Sequence, residues 1–283
     1  MLLAALGFSI MGGFAKELKT SFNAPQLVFY RNLVGVLFLS VSFFRYPVKQ
    51  SGGRFGLLAF RGLMGTLALY TLLYNIIHIP LGAAMTYNTI NTFYIALLSW
   101  WLLKEKLNTI AWICIIGGFT GILLIYKPSA DFNWKYHGIG LLHGLLSAFA
   151  YLSIGTLNKY YDARIIVLSF LTGGLILPLL TMSLGYALQI PHDDFFFPVF
   201  RMPVGSEWFY LAGLGFSALL AQYFVTKAYS NDKAGLVSAI GYSNIIFGLI
   251  IGVMLGDAFP DIIAILGVLI VIGSGVVISL TKK

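Results

Sequence analysis

Residues 89–107 read TINTFYIALLSWWLLKEKL, and residues 241–259 read GYSNIIFGLIIGVMLGDAF. Laid over each other at a shift of 152, they share one order: apolar helix, terminal acid, short turn, next helix. Leu97 meets Leu249, Leu103 meets Leu255 and Glu105 meets Asp257; the ungapped overlay runs on to Gly121 over Gly273. The identities are few, and the shared order carries the argument. The chain reads as two halves of one design.

What surrounds these stretches fixes the solvent. Of 283 residues, 59% are hydrophobic and 10% charged, with a mean hydropathy of +0.87. A soluble domain carries about 25% charged residues, so the polar surface here is too small for a water-soluble globule. The chain reads as an integral membrane protein. The breaks give ten spans: 2–16, 26–44, 55–77, 81–103, 108–126, 138–157, 165–188, 207–229, 234–256 and 261–280. The prolines fall at or near these breaks, except Pro178 in mid-run. The runs are too long and too evenly apolar for barrel strands. The predicted fold class is therefore an all-α integral membrane protein of ten transmembrane helices in two inverted five-helix repeats, 1–128 and 137–283. Five helices per half is odd, so the second half enters from the opposite side. The first span is short for a bilayer, so that helix is cut back or starts upstream. The single cysteine, Cys114, leaves no internal disulfide.

Charge sets the orientation. With both ends cytoplasmic, the inner segments hold ten lysines and arginines and the outer segments five. Most acids fall outside, and Trp100, Trp101, Trp112 and Trp208 lie near span ends, where an indole faces headgroups. The expected location is the cell inner (cytoplasmic) membrane, multi-pass. The net charge of +8 is scattered singly between apolar runs, which suits topology rather than nucleic acid. The longest connection, QIPHDDFFFPVFRMPVGSE (189–207), is expected to lie in the interface or fold back over the bundle.

Four further segments carry a resemblance: VFYRNLVG opening helix 2, AFRGLMG in helix 3, LLKEKLN after helix 4 and GGFTGILLIYKP closing the first half. The chain resembles EamA-type members of the drug/metabolite transporter superfamily over essentially its whole length, the first half more closely. The resemblance implies ten helices in two inverted halves around a central substrate cavity. One departure stands out: where family members often carry proline in helices 4 and 9, this chain has Thr92 and Asn244, within the polar pairs Asn91–Thr92 and Ser243–Asn244.

Polar residues inside the spans point to a site. In helix 4, Tyr87, Asn91 and Tyr94 recur at helical spacing, with Asn88 flanking. Helix 9 offers Ser238, Tyr242 and Asn244; helices 3 and 8 match Tyr70, Tyr74 and Asn75 against Gln222, Thr226 and Lys227. Each polar residue alone has two readings, a hydrogen bond between helices or a cavity wall. The repetition at equivalent positions favours a cavity at the midplane. Arg31, Arg61 and Lys227 lie within spans and either snorkel or point inward to hold an anionic group. His143, beside Ser147, either titrates during transport or sits buried and neutral. Glycines 62, 65, 117, 118, 121, 273 and 275 are spaced for close helix contact.

The sequence holds no phosphate-cradling loop, HExxH or GxSxG, and its four histidines are dispersed. It gives no cofactor site and no metal site. The expectation is a secondary transporter, not an enzyme, moving a small polar organic metabolite with an anionic or zwitterionic lean. Asn88, Asn91, Tyr242 and Asn244 are its orienting contacts, with Tyr70 and Gln222 supporting and Arg61 as charge clamp. An intramembrane enzyme or a passive pore is the competing class. The expected partners are a small-molecule substrate and the lipid bilayer, with no nucleic acid; a homodimer is left open.

Overall fold

The computed structural model describes residues 1–46, 52–103, 108–126, 134–189, 200–231 and 240–281. Glu105, most of the 189–207 connection and Ser238 lie outside the described residues. The helices are α1 (Leu2–Glu17), α2 (Ala24–Arg45), α3 (Phe55–His78), α4 (Leu81–Thr89), α5 (Asn91–Leu103) and α6 (Thr109–Tyr126). The second half gives α7 (Trp134–Leu157), α8 (Ala163–Ala187), α9 (Glu207–Asn231), α10 (Ser243–Met254) and α11 (Ile262–Thr281). Five of these, α2, α3, α7, α8 and the first 19 residues of α9, are long and apolar enough to cross a membrane. Helices α6, α10 and α11 are also apolar.

Side-chain acceptors start several helices, because the first N–H groups of a helix have no partner within it. The Asn108 amide oxygen accepts from Ala111 N–H, Asp162 from Arg164 N–H and Asp261 from Ala264 N–H, each at 2.8 Å. In α2, Gln26 reaches back to the Asn23 N–H at 3.0 Å, and Pro25 occupies the first turn, where its missing N–H costs nothing.

The span expected as one helix over 81–103 is instead two, α4 and α5, parted at Ile90. There the ladder tightens: Ile90 N–H donates to Tyr87 C=O at 3.3 Å and Phe93 N–H to Ile90 C=O at 3.0 Å, both three residues back. Span nine breaks at Tyr242, 152 residues on, where Ile245 N–H donates to Tyr242 C=O at 3.1 Å. Both break residues keep right-handed helical torsions, with φ −64° in each. The two halves therefore carry one discontinuity at one register, without proline. Counting each broken helix as one span gives ten.

The halves interlock rather than stand side by side. The most extensive contacts cross between them, and they come in matched pairs: α6 on α11 and α2 on α8 are self-paired, while α3 on α7 mirrors α9 on α1. Directions follow from the close approaches. Gly117 faces Ser274 and Gly121 faces Gly267, so α6 and α11 run antiparallel. Gly62 faces Ser169 and Gly173 faces Thr66, so α3 and α8 run parallel. Of the glycines expected at helix contacts, Gly273 meets nothing; Gly267 makes the α6–α11 approach instead.

Two ends can be told apart. The Arg164 end carries Arg45, Arg54, Lys159 and Arg164 among the described residues. The other, the Asp257 end, is fastened: Asp257 forms an ion pair with Lys16 of α1 and accepts the Leu81 N–H of α4 at 2.8 Å.

Candidate functional site

The breaks at Ile90 and Tyr242 face each other across the bundle and leave space between them. A first compartment of about 50 Å³ is walled by Asn88, Thr89, Asn91 and Thr92 from one half and Gly241, Tyr242 and Asn244 from the other. Met1 and Val225 line it toward the Arg164 end. A second compartment of about 60 Å³ shares Phe8, Asn88 and Tyr151 with the first and adds Arg31, Arg61, His143, Ser147, Phe170 and Gln222. The shared walls set them side by side as one two-lobed cavity, with room for a few water molecules in each lobe.

Of the residues expected at the site, Asn88, Asn91, Tyr242, Asn244, Arg61 and Gln222 therefore line one cavity. Tyr70 does not. It is buried in the apolar core at 4% exposure, and only its α3 neighbours Ala68, Leu69 and Leu72 reach the cavity. Tyr87 and Tyr94 also turn away. The Tyr87 ring packs on Gly140 and its hydroxyl bonds to His137, while Tyr94 packs on Gly144. The tyrosines of this segment face α7, and its asparagines and threonines face the cavity. Tyr74 and Asn75 likewise face α7, with Asn75 Nδ2 donating to Tyr136 C=O at 3.3 Å.

Glycine notches seat both breaks. Ile90 packs on Gly144 of α7, and the Tyr242 ring on Gly275 of α11, where a Cβ would lie 1.9 Å from the ring. Tyr242 is thus a rigid wall, 1% exposed. Asn244 is partly engaged: its side-chain oxygen accepts from the Ser9 hydroxyl at 2.6 Å, which ties α10 to α1. Asn88 and Asn91 are half-buried, with Asn91 bonded only locally, to Thr92 at 3.4 Å.

The second compartment carries the charge. Arg61 is 4% exposed, and its Nε and Nη1 have no protein hydrogen-bond partner. Its guanidinium lies 5.4 Å from the centroid of the Phe170 ring and folds back over Gly65, one turn on. A Cβ at Gly65 would stand 2.2 Å from Arg61 Nη1, so the glycine supplies the room the charge occupies. Among the described lining residues there is no aspartate or glutamate. His143 sits beside it, bonded at both nitrogens: Nδ1 lies 2.7 Å from Ala68 C=O and Nε2 3.1 Å from the Asn88 amide oxygen. A carbonyl only accepts, so Nδ1 carries the proton. In the neutral ring Nε2 then accepts, from the Ser147 hydroxyl at 3.4 Å or from the Asn88 amide turned over. Lys227 is exposed and lies over Tyr223, which suits a snorkelling side chain.

Sequence reasoning missed Phe170, which carries no polar pattern, and the convergence of Arg31 with Arg61. Gly65 at four residues from Arg61 was the one available signal, read there only as a packing glycine.

Inverted halves that meet at paired helix breaks around a polar, charged cavity define the class of multi-pass membrane transporters. A model of the EamA-like transporter family matches residues 1–127. An uncharacterized transporter of Helicobacter pylori is 35% identical over 99% of this chain and 93% of its own length. The pseudopaline exporter CntI of Pseudomonas aeruginosa is 28% identical over 99% and 95%. A solved crystal structure superposes with a TM-score of 0.63 at 16% identity, covering 99% of this chain and 96% of that one. The chain belongs to the EamA-like transporter family, within the drug/metabolite transporter superfamily.

Proposed function

We propose that this chain is a secondary transporter of the cytoplasmic membrane that moves a small polar organic metabolite bearing an anionic group, by alternating access, with both ends cytoplasmic. One observation carries the reading: a buried guanidinium with unpartnered donors lines the cavity, and no carboxylate among the described lining residues balances it. A buried charge without a partner is costly, and a bound anionic group offsets that cost by bidentate, charge-assisted hydrogen bonds. Arg61 is the clamp. Asn88, Asn91 and Asn244 orient the uncharged part of the substrate, Gln222 supports them and Tyr242 supplies a wall. Tyr70 acts from behind the wall, through packing.

The two ends support the transport cycle. The Asp257 end is fastened by Lys16, Asp257 and Leu81, and the cavity extends toward the Arg164 end. This arrangement corresponds to a state closed outside. Rocking of the halves at the breaks would exchange the closed end. The Pseudomonas relative is named for export of a metabolite, which supports a metabolite substrate here.

The test is a metabolite-library thermal-shift screen on purified protein, followed by flux in liposomes with and without a pH gradient. Saturable flux of an anionic or zwitterionic compound is expected, with Arg61→Gln abolishing it while leaving membrane insertion intact. Unchanged flux in Arg61→Gln removes the clamp, and non-saturable flux or product formation removes the carrier.

A further inference from the structure

The geometry points to a cavity built for two anionic groups, so that the ligand is a small dianion bearing two carboxylates or a carboxylate and a phosphate, held by Arg31 and Arg61 together. This rests on the reading of the central cavity as the transport site. Arg31 comes from α2 and Arg61 from α3, yet both guanidiniums lie over one ring, that of Phe170 on α8, at 5.2 and 5.4 Å from its centroid. Their central carbons are therefore within about 11 Å of each other, a span that a compact molecule with two charged ends can bridge.

Each is 4% exposed and lines the same compartment. Arg31 commits Nη1 to the Asn32 side-chain oxygen at 2.7 Å and leaves Nε without a protein partner. Arg61 leaves Nε and Nη1 so. Ion pairs among the described residues join Lys16 to Asp257, Arg164 to Asp162 and Arg201 to Glu207, and neither buried arginine takes part. Guanidinium does not lose its proton in proteins, so both charges persist. Snorkelling does not explain the pair. Arg31 starts nearer the Asp257 end and Arg61 nearer the Arg164 end, so escape to headgroups would send them opposite ways. They converge instead. One anionic group would leave the second cation uncompensated; two complete the site, with Gln222 and Asn88 for the neutral middle.

The experiment measures thermal stabilisation of the full chain in phosphatidylcholine nanodiscs at fixed ionic strength. The probes are succinate, glutarate and phosphoglycolate, each against a counterpart with one anionic group or none, such as butyrate or glycine. At least one dianion is expected to bind tenfold or more tightly than its counterpart, and Arg31→Gln and Arg61→Gln each to weaken it at least tenfold. The wild-type comparison stands even if a variant fails to fold. Equal binding of counterpart and dianion, no dianion binding, or dianion binding unchanged in Arg31→Gln overturns the pair. A monoanion lost in Arg61→Gln alone would overturn the pair and leave the single clamp standing, whereas ligand binding indifferent to both arginines would overturn the clamp as well. Competition by phosphatidylglycerol added to the nanodiscs, with no effect of dianions, would show a lipid headgroup as occupant and overturn the proposal.

Discussion

Asp257 joins three elements, and removing it should release one end of the transporter. Its carboxylate pairs with Lys16 on α1 and accepts the Leu81 N–H at the start of α4, at 2.8 Å. The two side chains are 9% and 14% exposed, so screening by water is weak. Removing one partner of a buried ion pair costs about 3–5 kcal/mol, and a hydrogen bond to a charged group is worth about 1.5–3 kcal/mol. Because the pair lies at a membrane end rather than at the centre, the lower figure applies: Asp257→Ala should weaken the closure by about 3 kcal/mol, a factor of roughly 100. Asp257→Asn keeps an acceptor for Leu81 and loses the charge. Lys16→Asp with Asp257→Lys restores the pair and leaves the Leu81 N–H without its acceptor. Both should fall between wild type and Asp257→Ala. The reporter is Met85→Cys in a Cys114→Ala background, since Met85 is fully buried beneath this end, against Gly12 and Gly248. Its labelling by an impermeant maleimide should rise about 100-fold in Asp257→Ala. Equal labelling in parent and variant, both folded, refutes the latch.

Further outcomes follow from single contacts. Gly65→Ala places a methyl against Arg61 Nη1 and Phe170; binding of anionic ligand should drop about tenfold, a loss of about 1.4 kcal/mol, while Ala68→Gly should not reproduce it. Thr92→Pro lies in the second position of α5, next to the break, and should lower the melting temperature by only a few degrees, whereas proline at Ala96, mid-helix, should cost about 3 kcal/mol. Asp162→Ala removes the cap of α8 and should cost about 1 kcal/mol. Burial alone would raise the Asp162 carboxyl, but the N–H and guanidinium of Arg164 outweigh it and hold the group below its ordinary value. The folded state thus favours the ionised form. That stabilisation is fully present above about pH 4 and fades as pH falls through the depressed value. A melting-temperature profile from pH 6 to 2 should show a shallower acid limb in Asp162→Ala than in wild type.

The sequence by itself determined the solvent, the helical class, most of the described spans to within a few residues and the doubling of the chain. These follow from local facts: in lipid every backbone group must be satisfied within its own segment, so apolar length alone marks a helix. It also named most of the polar residues that end at the cavity, because polar groups in hydrocarbon need a reason to be there. Tertiary structure alone decided which way they point. Helical spacing put Tyr87, Asn91 and Tyr94 on one face, but the tightened turn at Ile90 and the glycine notches of α7 send the tyrosines into packing and the asparagines to the cavity. Arg31 and Arg61 lie thirty residues apart on different helices, and only the packing of α2 and α3 against α8 brings both guanidiniums onto Phe170. Periodicity fixes what faces what within one helix; which helices share a wall depends on how ridges and glycine gaps fit between distant segments, and no single stretch of sequence carries that.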